Sequence, residues 1–264
     1  MTTALTLGNQ RWALGRATYR PPTETIRTTE YDVDAIDGDT LPKAFVREHH
    51  YSGTYPAARF RFALHRHGRL VGVAVFSHPC SDAVLTRVFP IPAREAVELG
   101  RFVLLDEVPG NGETWFLARC FEQLRGHVRG VVSFSDPVER TSRDGRAVFP
   151  GHVGTIYQAF NGRYLGRGRG ATLRLLPDGT VFSARAVSKI RGLERGWQHC
   201  VETLIGHGAR YERGEPLGPW LDWWLPRLTR PLRHPGNHKY AWALDRRLRP
   251  ALADSKPYPK LTRP

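Results

Sequence analysis

Residues 98–136 read ELGRFVLLDEVPGNGETWFLARCFEQLRGHVRGVVSFSD, and the fold turns on how this stretch is parsed. The apolar run at 98–105 has the length and composition of a strand. A glycine-containing loop follows, and then Phe116, Leu117, Cys120, Phe121 and Leu124 recur at the spacing of one helix face. Asn111 is placed to cap that helix, and Glu113 to favour its first turn. Gly126 and Gly130 turn the chain into VVSFSD, a second strand. A strand, a helix and a strand in this order form a crossover, which joins parallel neighbours.

Upstream, LPKAFVREHH (41–50) has a helical pattern and runs into Tyr51-Ser52-Gly53. Phe60, Phe62 and Leu64 then alternate with polar residues as a half-buried strand does. His67-Gly68 is the expected hairpin turn, and LVGVAVF (70–76) the returning strand, covered on both faces. Residues 1–30, with paired prolines, read as an N-terminal arm. Downstream, GHVGTIYQAFNGRYLGRG (151–168) reads as a loop, a short helix around 155–160 and a strand or turn. ATLRLLPDGTVFSA (171–184) is a hairpin about Pro177-Asp178-Gly179, followed by one helical stretch near 188–206. The tail carries Trp220, Trp223 and Trp224, then a basic, proline-rich end, and no internal repeat is visible.

The 264 residues, 41% hydrophobic and 11% aromatic, suffice for one good-sized core and exclude a disordered chain. The net charge of +14 makes a field that attracts polyanions, with nucleic acid the first expectation. Only five of the 39 basic residues are Lys, so a genomic preference for Arg codons is part of this excess. Cys80, Cys120 and Cys200 are odd in number and widely spaced, which argues against a disulfide framework and a structural zinc site and for a reducing cytoplasm. No apolar run is long enough for a membrane span, and the N-terminus lacks a signal-peptide layout, so no membrane partner is expected.

Two antiparallel strands, a third strand, the loop and helix, and a further strand make an order that resembles the GNAT acyltransferase superfamily. That family grips its cofactor's pyrophosphate through Gln or Arg, two residues, Gly, one residue, and Gly or Ala. Glu107, Gly110 and Gly112 hold those places here, and the acid at the first of them weighs against ordinary acetyl-coenzyme A binding. The resemblance implies a cofactor contact from Leu104, Val108, Gly110, Asn111, Gly112, Glu113 and Thr114. An ordinary strand-to-helix turn is the plainer reading of the same glycines.

A more specific likeness lies in HHYSGTYP (49–56), ELGRFVLL (98–105), GNGETWFLARC (110–120), VVSFSDP (131–137), GHVGTIYQAFN (151–161), SKIR (188–191) and HPGNHKYAWAL (234–244). Together these resemble the Mom family of phage DNA-modification proteins, GNAT-like enzymes that add a carbamoylmethyl group to the exocyclic amine of adenine. The resemblance covers roughly residues 41–244 and implies functional roles for Tyr51, Arg101, Ser135, Asp136 and Tyr157. Tyr157 lies where such an enzyme protonates a leaving group; Asp136, at a strand end, would orient or deprotonate the amine. Arg101, on an apolar strand, should meet a carboxylate or phosphate, Asp136 or the donor being the candidates.

His49, His50 and His152 have no ligand-spaced partner, and no metal is expected. For double-stranded DNA the candidates are His50, Arg163, Arg167, Arg169, Lys189, Arg191, His238 and Lys239, with Tyr51, Tyr55, Phe160 and Tyr164 as stacking or core aromatics. The expected fold is α/β (α+β): a GNAT-like mixed, mostly antiparallel twisted sheet flanked by helices. The expected organisation is an arm at 1–30, a catalytic domain at 31–246 that includes a hairpin-helix DNA-binding element at 162–212, and a basic tail at 247–264. The donor is left open between an acyl-coenzyme A, an aminoacylated carrier and another source of the two-carbon amide, as is the oligomeric state. The expected function is adenine modification that protects phage DNA from host restriction. The alternatives are an acyl-coenzyme A N-acetyltransferase acting on a protein or small molecule, and a DNA-binding relative without catalysis.

Overall fold

The computed structural model describes residues 9–13, 16–21 and 23–260. A hairpin of β1 (Asn9–Ala13) and β2 (Arg16–Arg20) precedes β3 (Tyr31–Ala35) and α1 (Thr40–His49). Strands β4 (Ala58–Arg66) and β5 (Arg69–Ser77) lead through the short α2 (Ala83–Thr86) to β6 (Ala96–Leu104), α3 (Gly112–Leu124) and β7 (Gly130–Ser135). After β8 (Arg140–Thr141) and β9 (Ala147–Phe149) come α4 (Thr155–Ala159), β10 (Arg163–Arg167), β11 (Ala171–Leu175) and β12 (Val181–Phe182). Helices α5 (Ala184–Arg191), α6 (Trp197–Gly206) and α7 (Leu217–Leu228) precede β13 (Arg230–His234) and β14 (His238–Ala243).

The chain folds as two units: residues up to 137 with 152–168 and 237 onward, and residues 138–151 with 169–236. The first holds a seven-stranded sheet in the order β10-β14-β7-β6-β5-β4-β3. Its β6–β7 pair is parallel, as the crossover requires, and the other pairs are antiparallel. One sheet face is sealed by α3, whose Phe116, Leu117, Cys120, Phe121 and Leu124 pack on Phe62, Phe76, Leu99, Val131 and Trp242. Phe45 and Val46 of α1 cover Val73, Val75 and Val103 on the other face, beside a cluster of Leu85, Phe89, Val132, Leu248 and Leu252. Cover on both faces explains why β5 is apolar without alternation. His67 and Gly68, with φ of 48° and 77°, turn β4 into β5. Two residues with positive φ match the twist of a tight hairpin.

Several expectations change. Residues 9–13 and 16–20 of the N-terminal arm form the β1–β2 hairpin, and Arg11 is buried; residues 1–8 lie outside the described ones. Asn111 sits at the α3 N-cap but makes no capping bond, because its Oδ1 accepts the Ile26 N–H at 2.7 Å. Residues 163–167, expected within the hairpin-helix element, are an edge strand of the large sheet: Tyr164 and Gly166 alternate inward, and Arg163, Tyr164 and Arg167 pair along β14. The basic tail is anchored by buried Leu248 and Leu252, and the Lys256 N–H donates to the Tyr164 carbonyl at 2.8 Å.

The second unit packs α5, α6 and α7 around Ile190, Val201, Leu204, Trp220 and Leu221, with a three-stranded sheet β12-β11-β13. The expected 188–206 helix is two helices, broken where Leu193 and Gly196 take φ of 50° and 84°. The tryptophan-rich segment forms α7, which turns Trp220 inward and leaves Trp223 exposed.

Arg11 donates to Glu113 Oε1 at 2.7 Å, the two side chains being only 5% and 2% exposed. Its other N–H groups serve the carbonyls of Leu105, Val108 and Pro109. Removing one partner strands a buried charge, whereas replacing both by apolar groups does not. Arg11→Met should therefore cost about 3–5 kcal/mol in urea unfolding, and Arg11→Met with Glu113→Leu should recover much of it. Equal losses in the single and double variants would show that the pair is not the source of the stability.

Candidate active site

The parallel ladder between β6 and β7 ends at the Leu99–Ser133 pair, yet β6 continues to Leu104 and β7 to Ser135. Gly100 is the extra residue of a bulge against β5, where Val75 pairs with Arg101 and Phe76 with Leu99. A Cβ at Gly100 would lie 2.4 Å from Ser77 Oγ, so a larger residue at the bulge would force the Ser77 side chain to move. The bulge and the lost pairing open a wedge between the two strands, and polar groups collect in it.

From β6 come Glu98 and Arg101. Arg101 donates from Nε to the Thr54 carbonyl at 2.8 Å and from a terminal nitrogen to Thr54 Oγ1 at 2.6 Å. The expected acid partner is thus replaced, in the bonds described, by the loop after α1, which Arg101 holds against the strand. Burial lowers the Arg101 pKa while Tyr51, Glu98 and Tyr157 stand close enough to raise it, and burial raises that of Glu98.

The loop after α1 supplies His50 and Tyr51, their rings 4.1 Å apart. The Ser52 N–H donates to His50 Nδ1 at 3.1 Å, which leaves the ring proton on Nε2. The Tyr51 hydroxyl meets His152 Nε2 at 3.4 Å, and the His152 N–H donates to the Asp136 carbonyl at 2.7 Å. Burial, with Arg101 and His152 nearby, pushes the His50 pKa down to about 3. Burial also takes His152 to about 4, against a smaller opposing effect of Asp136.

On α4, Tyr157 packs against Tyr240 and Trp242, with ring centroids 5.5 and 5.7 Å away. Burial raises its pKa, and a hydrogen bond with Ser133 partly offsets this, so the phenol holds its proton at neutral pH. The helix starts after Gly154, whose φ of 74° suits glycine, and a Cβ there would meet Tyr157, Tyr240 and Ser135 at 2.8–3.0 Å.

The structure thus brings Tyr51, Arg101, Ser135, Asp136 and Tyr157 to the ends of β6, β7 and α4 and the loop after α1. It moves two residues expected on a DNA-facing surface: His50 belongs to this cluster, and His238, 1% exposed, lies on β14 directly opposite Ser135. The reason is register, since residues paired across antiparallel strands share a face. Tyr164 is bonded to His238 Nδ1 at 2.8 Å, while His238 Nε2 and Ser135 Oγ are buried with no protein partner. Glu98 and Ser133 are additions to the residues singled out from sequence, and the Tyr164–His238 bond joins two that were singled out for other roles. Of the stacking candidates, Phe160 and Tyr164 are core, and Tyr55 bonds Asp39 at 3.0 Å.

The remaining expected DNA contacts are at the surface. Arg163, Arg167, Arg169 and Arg191 are exposed, and Lys189 and Lys239 half-buried. Arg191 is paired with Asp222 at 2.6 Å, which reduces its free charge. Among the described residues no group of three or more His, Cys, Asp or Glu side chains has the geometry to hold a metal ion, and no helix is long and apolar enough to cross a membrane.

The loop after β6 carries the residues expected to contact a cofactor. The Val108 N–H donates to the Leu105 carbonyl at 3.1 Å and the Gly112 N–H to that of Pro109 at 2.9 Å. The Gly110 N–H donates to Glu24 Oε2 at 3.0 Å, and Thr114 Oγ1 to the Asn111 carbonyl at 3.0 Å. Leu104 faces the core.

This architecture is a mixed and mostly antiparallel sheet with a β-α-β crossover at its parallel pair. The chain belongs to the Mom protein family, whose model matches residues 30–213. No curated protein matches it. Among solved structures it is similar to a tandem GNAT protein from the clavulanic acid biosynthesis pathway, at 11% identity over 81% of this chain and 99% of that one, with a TM-score of 0.42. A Drosophila melanogaster polyamine N-acetyltransferase is 13% identical over 80% of this chain and 100% of that one, with a TM-score of 0.39. An N-acetyltransferase from Staphylococcus aureus Mu50 is 11% identical, covering 81% and 99%, with a TM-score of 0.36.

The desolvated, half-buried imidazoles make the fold acid-sensitive. In the unfolded chain His50 and His152 titrate near 6.5, but in the folded protein only near 3 and 4. Their contribution is complete above 6.5 and is lost as the pH falls from there towards 4, because the unfolded chain takes up protons that the native rings do not. Denaturant unfolding from pH 7 to 5 should show this decline, and His152→Gln should make it shallower. A stability that is flat across that range would contradict the assignment of neutral, desolvated rings.

Proposed function

We propose that this protein is a transferase that adds a carbamoylmethyl-type group to the exocyclic N6 amine of adenine in DNA. The observation that carries the reading is the family match, which spans the elements that build the wedge and all five of Tyr51, Arg101, Ser135, Asp136 and Tyr157. The net charge of +14 fits a polyanionic partner. Arg163, Arg167, Arg169, Lys189, Arg191 and Lys239 are the phosphate contacts we propose, and biologically the modification would shield phage DNA from host restriction enzymes.

The exocyclic amine of adenine is a weak nucleophile, since its lone pair is drawn into the ring. Holding it in line and stabilising the developing charge should matter more than a strong base. The amine is also engaged in a base pair, so the base must leave the stack to be reached. In this reading Asp136 orients the amine and accepts its proton, and the protonated Tyr157 donates to the leaving group of the donor. Arg101 acts as a positioning residue, through the loop that presents His50 and Tyr51. The Ser135 hydroxyl and His238 Nε2 provide two adjacent hydrogen-bonding atoms for substrate, with Tyr164 fixing the ring of His238.

Nucleosides from plasmid DNA of cells expressing the protein should contain a heavier deoxyadenosine by mass spectrometry. Its yield should fall at least about a hundredfold in Asp136→Ala and in Tyr157→Phe. Unmodified DNA from well-expressed, folded parent protein would shift the reading to transfer onto a different acceptor.

A further inference from the structure

The wedge explains where chemistry takes place but not what fills the loop after β6. In the GNAT pattern that loop would receive the pyrophosphate of coenzyme A, and such a seat needs N–H groups aimed outward and a local surplus of positive charge. The groups present do not fit it. The N–H groups of Val108 and Gly112 are turned into the loop, and that of Gly110 meets the carboxylate of Glu24. Glu24 thus takes the place an anionic ligand would take. It is held there by Arg20, whose Nε donates to Glu24 Oε2 at 2.8 Å.

The same segment grips the loop at three further points. Arg11 spans the carbonyls of Leu105, Val108 and Pro109 and pairs with Glu113. Thr18 Oγ1 donates to Asp106 Oδ1 at 2.9 Å, and the Ile26 N–H to Asn111 Oδ1. Glu107, at the position where the GNAT pattern has Gln or Arg, is paired with Arg69. Around the loop, Glu24, Asp106, Glu107 and Glu113 thus face Arg11, Arg20 and Arg69, four carboxylates against three guanidiniums. Gly112 has a structural reason that involves no ligand, since a Cβ there would lie 2.4 Å from Val108 Cγ1.

We infer that the 105–113 loop is the socket for the chain's own β1–β2 hairpin and the segment after it, and that the group donor of this protein makes no pyrophosphate contact there. The inference rests on the proposed transfer only in supposing that a donor exists. It names the donor's class as an activated carrier recognised without a nucleotide pyrophosphate at this loop.

Two measurements on the full chain test it. In calorimetric titrations acetyl-coenzyme A should bind no more tightly than acetyl-pantetheine, which lacks the nucleotide and its pyrophosphate. By NMR amide exchange, the Gly110 N–H should be protected without any ligand and should exchange at least about tenfold faster in a folded Glu24→Ala variant. Acetyl-coenzyme A binding at least about tenfold tighter than acetyl-pantetheine, with protection at residues 108–114, would overturn the inference. So would a Gly110 amide that exchanges freely in the parent. Neither readout uses DNA, so plasmid adenine found modified or unmodified bears on the proposed function and leaves the loop assignment untouched.

Discussion

The end of the β6–β7 ladder at Leu99 and Ser133 is the constraint on which the candidate site depends. A parallel pair that stays in register buries its backbone in hydrogen bonds and offers a ligand nothing but side chains. Where the pair separates, the strand ends beyond it can admit other groups, and both Arg101 and Ser135 lie past the last paired residues. The bulge at Gly100 adds a second effect by shifting the alternation of β6, so that Arg101 follows Glu98 on the face away from α3. The site therefore follows from the sheet's geometry, with side chains chosen to suit the wedge.

Burial then sets the protonation states. His50 and His152 are kept neutral by desolvation, and Tyr157 is kept protonated by it. The formal charge of +14 belongs elsewhere, on surface arginines such as Arg163 and Arg167. Even there it is partly compensated, since Arg185 pairs with Glu194 and Arg191 with Asp222. Composition alone overstates how much of the charge is available to phosphate.

The crossover was legible because its signals are local: helix periodicity, flanking glycines and apolar runs of strand length all lie within 98–136. The His67-Gly68 turn and the Pro177-Asp178-Gly179 hairpin were legible for the same reason. What could not be read depends on register between distant segments. His238 read as a DNA contact, and only the pairing of β14 with β7 sets it beside Ser135. Arg11 looked like part of an extended arm because a buried arginine becomes affordable only when Glu113 and three carbonyls are brought to it. The break in the 188–206 helix escaped notice because Leu193, a good helix former, takes a positive φ that propensity does not anticipate.

The loop after β6 shows why a spacing motif is weaker evidence than it looks. Glycines at 110 and 112 record that the backbone there must be approached closely, and they are silent about what approaches it. In a pyrophosphate loop the approaching group is a phosphate; at Gly112 here it is the side chain of Val108, and at Gly110 the carboxylate of Glu24. Glu107 was the one sign in the sequence that the occupant had changed, because an acid there cannot take up the part of Gln or Arg beside a diphosphate. A motif in which one charge is reversed can thus keep its backbone path and its glycines while its ligand is replaced by part of the protein itself.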